Sequence, residues 1–172
     1  MQFLNRIGLR VSVEPGANGF IPHVAVVDGG LHVDQAAPAS GLLHEAGHLA
    51  LVPTQFRHYL CGDLDAGVKR IFSELDSLNL GPDSKLERAM LQASDPEATA
   101  WAWAAGKAIG IPERMIIQDF EYSGSGGFIR SALAANSYVG INGMSHAGFC
   151  IPRKRPNRVE PVYPELAFWL QH

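Results

Sequence analysis

Ser40-Gly41-Leu42-Leu43-His44-Glu45-Ala46-Gly47-His48-Leu49-Ala50-Leu51 is an apolar run carrying two histidines four residues apart. Positions i and i+4 of a helix share one face. A helix here buries its leucines and alanines and turns both imidazoles to the same side. Ser40 is a candidate N-cap, and Pro53 marks the end. Gly47 costs propensity inside a buried helix. Its presence predicts another backbone packed closely against it.

Two imidazoles on one face can converge on a metal ion, and the adjacent Glu45 can reach a water held there. The chain's own His and Glu frequencies give roughly a 1–2% chance of one H-E-x-x-H pattern. A satisfied core histidine is the ordinary reading of a single His on an apolar face. Two at this spacing, around a Glu, point to metal.

With 172 residues the chain is expected to form one domain, 1–172, with a sizeable core. Apolar residues make up 47% and charged residues 18%, which favours folding over disorder. A net charge of -3 gives no global reason to expect nucleic acid or an anionic membrane. The basic run Arg153-Lys154-Arg155-Pro156-Asn157-Arg158 reads as a solvated surface segment. Cys61 and Cys150 do not make a disulfide framework. Met1 to Arg10 lacks a basic start followed by a long apolar stretch, so no secretory signal is expected. No apolar run has the length of a membrane span. A soluble cytoplasmic protein is the expectation.

Along the chain, Leu9, Val11 and Val13 alternate with Arg10 and Ser12, predicting a half-buried strand within residues 3 to 13. His23 to Val27 reads as a second strand, Asp28-Gly29-Gly30 as a hairpin turn, and Leu31 to Asp34 as the return. A small antiparallel sheet thus precedes the motif helix. Val68, Ile71, Phe72, Leu75 and Leu78 resume helical spacing, stopped by Leu80-Gly81-Pro82. Lys85 to Gln92 is a further helix. Asp95 to Gly110 follows, with Asp95 as N-cap, Pro96 at the first helical position and Gly110 at the end. Residues 113 to 121 and 128 to 139 are also helix candidates, and the tail after Gly140 reads as Gly- and Pro-rich.

A catalytic zinc takes three protein ligands and keeps one position open. The extended H-E-x-x-H-x-x-G-x-x-H pattern fails, because Leu51 and Thr54 occupy its Gly and third His positions and His58 is out of register. A carboxylate on a second helix would serve. Glu97 is the first choice and Asp95 the second, with Asp63 and Asp65 behind them. Spacing leaves Glu97 open, since a first-turn Glu is also favoured by the helix dipole.

Glu97-Ala98-Thr99-Ala100-Trp101-Ala102-Trp103-Ala104, ending at Ile111-Pro112, resembles the E-A-[ND]-x-F-A-A-x-x-L-x-P segment of the ImmA/IrrE metallopeptidases. In that family the segment follows an H-E-[LIF]-G-H helix, as it follows His44 to His48 here. The resemblance spans about residues 20 to 115. Thr99 and Trp101 depart from it, and the interval between His48 and Glu97 is longer than expected. It implies an α+β fold: a small antiparallel sheet packed on a mainly helical, zincin-like (gluzincin-like) domain. It implies Zn²⁺ held by His44, His48 and Glu97, with Glu45 as general base in peptide hydrolysis. It implies a protein or peptide substrate, in particular a regulatory protein. His146 and Tyr138 are candidates by residue type for stabilising the oxyanion. Cys150 reads as a small buried residue. Trp101 and Trp103 read as core, with one of them available to line a cleft. The competing reading is a non-catalytic metal-binding or protein-interaction module that keeps the fold.

Overall fold

The computed structural model describes residues 1–81 and 84–172. Its architecture is α+β: helices make most of the core, and a three-stranded sheet covers one side. The expected stop at Pro82 lies outside the described residues.

The N-terminal segment begins with a short helix, α1 (Gln2–Arg6), where a strand was expected, and only Val11–Val13 is extended as β1. Leu4 and Leu9 are buried on either side of this switch. The hairpin forms as expected, from β2 (Val24–Val27) and β3 (Gly30–Val33). Asp28 and Gly29 both have positive φ, the requirement of a tight two-residue turn. The sheet order is β1-β3-β2, with β2 antiparallel and β1 parallel to β3, so the sheet is mixed rather than antiparallel.

The motif run forms α2 (Ala39–Leu51). Pro38 is its N-cap, and Ser40 is the second helical residue, accepting a hydrogen bond from Gln118 Nε2 at 3.0 Å. Pro supplies the extended backbone that the cap needs, which frees the Ser40 hydroxyl for a tertiary contact. The far end of α2 is closed by Arg57, which donates to the carbonyls of Leu49 and Val52 at 2.7 and 3.1 Å. A guanidinium against terminal carbonyls satisfies acceptors that the helix cannot.

Next come α3 (Leu64–Ser77) and α4 (Lys85–Leu91), capped by the side chains of Asp63 and Ser84. The central α5 (Asp95–Ala108) is buried continuously from Glu97 to Gly106. Its N-cap is Ser94, so Asp95 is the first helical residue instead of the cap. Residues 113 to 121 do not form one helix. They give a single turn, α6 (Glu113–Ile116), before the short element α7 (Glu121–Gly124). The remaining helices are α8 (Gly126–Ala134), overlapping the helix expected over 128 to 139, and α9 (Val139–His146), which runs into the tail read as Gly- and Pro-rich.

Glycines explain both α2 and α9. A Cβ at Gly47 would lie 2.6 Å from the Ala98 carbonyl oxygen, so α2 and α5 meet backbone to backbone as expected. A Cβ at Gly140 would run into the Pro96 carbonyl, and one at Gly143 into the Glu97 carboxylate. These glycines lower the propensity of α9 but let it pack on the start of α5. The tail then closes the core: Tyr163 donates to the Ala100 carbonyl, and Trp101 donates to the Trp169 carbonyl. Among the described residues, no helix is long and apolar enough to cross a membrane.

Candidate metal centre

The α2 helix places His44 and His48 one turn apart, with their Nε2 atoms 3.2 Å from each other. Their rings meet edge to face, with centroids 4.9 Å apart. The start of α5 brings Asp95 Oδ1 to 3.1 Å from His48 Nε2 and 3.6 Å from His44 Nε2. These three residues form the group of potential metal ligands found among the described residues. A tetrahedral ion bound at about 2.0–2.1 Å would hold its donors about 3.3–3.4 Å apart. The observed separations bracket that edge length, so the donor set fits a zinc-sized ion. The same set of two imidazoles and one carboxylate also suits iron.

The carboxylate that joins the two imidazoles in this group is Asp95, the second choice, rather than Glu97. Asp95 is the first residue of α5, and its side chain projects past the helix end toward α2. Glu97, two residues on, is not in the group with the imidazoles. It is buried, accepts a hydrogen bond from the Ser94 hydroxyl and abuts Gly143 of α9. Ser94 and Glu97 thus stand at the two ends of a capping-box spacing, S-x-x-E. Asp63 caps α3 by accepting from the Ala66 amide, and Asp65 lies in the first turn of the same helix. Neither belongs to the group with the imidazoles.

The hydrogen bonds offered by His44 and His48 hold the Asp95 carboxyl well below the usual carboxylate range. Glu45 is buried, and burial pushes its carboxyl up, opposed by the two neighbouring imidazoles and assisted by Asp95. A carboxylate moved in that direction is better matched to accepting a proton near neutral pH. His44 Nδ1 is buried and has no hydrogen-bond partner among the described residues. Ring packing and the Nε2 side therefore orient His44.

Tyr122 also stands beside the group, a placement that sequence reasoning did not anticipate. Its ring lies edge to face with His44, centroids 6.4 Å apart, and its hydroxyl pairs with Thr99 Oγ1 at 2.9 Å. Tyr122 and Ser123 are both left-handed, with φ of 55° and 58°. Such residues cost of order 1–2 kcal/mol each and persist where the surroundings hold them. Burial pushes the phenol up to about 12, so it stays a hydrogen-bond donor. No periodicity in Asp119-Phe120-Glu121-Tyr122-Ser123 signals this placement.

His146 lies elsewhere. It ends α9 and lines a basic hollow with Arg88, Arg155 and Arg158. Tyr138 caps α9, and its phenol is raised by burial and by the Glu97 and Asp95 carboxylates, against the Thr99 hydroxyl. Trp101 and Trp103 are both fully buried, and Ala102 between them is the residue that reaches the cleft beside the centre. Cys150 is buried as expected.

No protein-family model, curated protein or solved structure matches this chain.

Proposed function

We propose that the chain is a zinc-dependent metallopeptidase of the ImmA/IrrE kind, with His44, His48 and Asp95 as metal ligands. The observation carrying this reading is the convergence of three donor atoms at 3.1–3.6 Å beside the buried Glu45. A zinc ion there would polarise a scissile carbonyl and lower the pKa of a bound water to about 7. Glu45 accepts the proton of the attacking water and returns it to the departing amine. Tyr122 offers its hydroxyl to the carbonyl oxygen as negative charge builds on it. Its cleft-lining position beside His44 and Asp95 supports this role over that of His146. The substrate is a protein or peptide. A cytoplasmic setting accords with two unpaired cysteines.

The test is a pair of variants, each assayed for zinc content and for hydrolysis of unfolded casein. Glu45→Gln keeps one zinc per chain and loses hydrolysis by at least about 100-fold. His48→Ala loses both. Full hydrolysis by Glu45→Gln would refute the mechanism. A wild-type protein that binds zinc tightly and cleaves nothing would support the metal-holding module instead.

A further inference from the structure

An apolar cleft of about 500 Å³ opens beside His44 and Asp95. Its size falls in the range of about 300–1,000 Å³ typical of ligand sites. Ile21, Ala102, Ile116 and Ile117 line it, and Phe20 and Phe120 stand at it with 92% and 73% exposure. Aromatic side chains so open to water, gathered beside a cleft, mark a surface that gains by being covered.

Away from His23, His44 and Asp95, the polar side chains of the cleft are already engaged. Ser40 and the Gln118 side chain are bonded to each other, and Glu121 accepts from the Gln118 backbone amide at 2.7 Å. A polar guest would find few unengaged partners there and would lose its water. An acidic guest would also meet the carboxylates of Asp95 and Glu121. An uncharged apolar group loses nothing and buries surface.

We propose that this cleft receives a large apolar side chain, such as leucine, methionine or phenylalanine, of the residue flanking the scissile bond. The inference rests on the hydrolase reading for the bond-breaking and on the cleft alone for the preference. The cleft is continuous with the candidate ligands, so an occupant bound at the centre must place one neighbour in it. Side-chain selection by an apolar pocket is worth about 10- to 200-fold.

The probes are four peptide hydroxamates that differ only in one side chain: leucine, phenylalanine, glycine or aspartate. They are titrated calorimetrically into the zinc-loaded protein. The leucyl and phenylalanyl compounds should bind at least about tenfold more tightly than the glycyl one, with the aspartyl compound weakest. Joint Phe20→Ser and Phe120→Ser substitution should cut that ratio at least about threefold while zinc content stays at one. Both side chains are mostly exposed, so folding is not at stake. Equal affinity for leucyl and glycyl compounds, or a preference for aspartyl, would overturn the proposal and leave the hydrolase reading standing. Absence of zinc binding would instead sink the hydrolase reading. The cleft is then read by NMR with N-acetyl-leucine amide against N-acetyl-glycine amide. Shifts at Gly41 and Ile117 with leucine alone would uphold the cleft's preference, and their absence would overturn it.

Discussion

Gly47 and Ala98 bring α2 and α5 into backbone contact: a Cβ at position 47 would lie 2.6 Å from the Ala98 carbonyl oxygen and 2.9 Å from its Cα. Those are backbone atoms and cannot swing aside. The contact sets the distance between the helix that carries His44 and His48 and the helix that begins with Asp95. Gly47→Ala would gain about 1 kcal/mol in helix propensity but pay the larger cost of overpacking, typically about 1–3 kcal/mol. The expected net loss is up to about 2 kcal/mol, seen as a fall in Tm of up to about 8 °C for a domain of this size. Zinc affinity should fall with it, because the two halves of the ligand set move apart. A Tm equal to or above wild type would contradict the close-packing account.

Asp95 and Glu97 separate the two ligand assignments. Asp95→Asn should weaken zinc binding by more than the roughly 10–100-fold typical of changes beyond the ligand shell. Glu97→Gln should weaken it less than tenfold and show mainly as lost stability, since Glu97 is buried against Ser94 and Gly143. Competition with a chromophoric chelator measures both. The reverse order of effects would return Glu97 to the ligand set.

This pair also shows what was legible in the sequence. The 3.6-residue period puts His44 and His48 on one face with no tertiary information. Choosing between Asp95 and Glu97 needs the angle at which α5 meets α2, and that angle is set by glycine contacts distant in sequence. The same limit explains α9: Gly140 and Gly143 argue against a helix locally, yet both are required where α9 touches Pro96 and Glu97. Ser40 reads as an N-cap by type, but its partner is Gln118, 78 residues away. Tyr122 sits in a left-handed turn that composition does not announce. The hairpin at Asp28-Gly29 was legible because its turn chemistry is local.

Tyr122 carries two predictions that must differ. Tyr122→Phe removes only a hydroxyl, costing about 0.5–1.5 kcal/mol through the lost Thr99 bond. If the phenol also donates to the reacting carbonyl, kcat should drop about 10²-fold with KM little changed. Ser123→Gly relieves the adjacent left-handed strain without touching the phenol, and should raise Tm by a few degrees. Equal kcat in Tyr122→Phe and wild type would leave Tyr122 a structural role only.

Cys61 and Cys150 should behave as opposites. Cys61 is exposed, whereas Cys150 is buried and its thiol is pushed up to about 12 by burial. One thiol should therefore react with Ellman's reagent in the native protein, and two in denaturant. The pH consequence has a definite sign. A folded-state pKa above the ordinary thiol value of 9.0 means that the native state holds its proton longer than the unfolded chain. The stability contributed is fully present below pH 9 and declines as pH rises from there toward 12. Cys150→Ala removes this term, so its stability curve should fall less steeply than wild type above pH 9. Urea denaturation at pH 8 and pH 10 checks it: equal slopes for the two proteins would mean that the Cys150 thiol ionises as readily folded as unfolded.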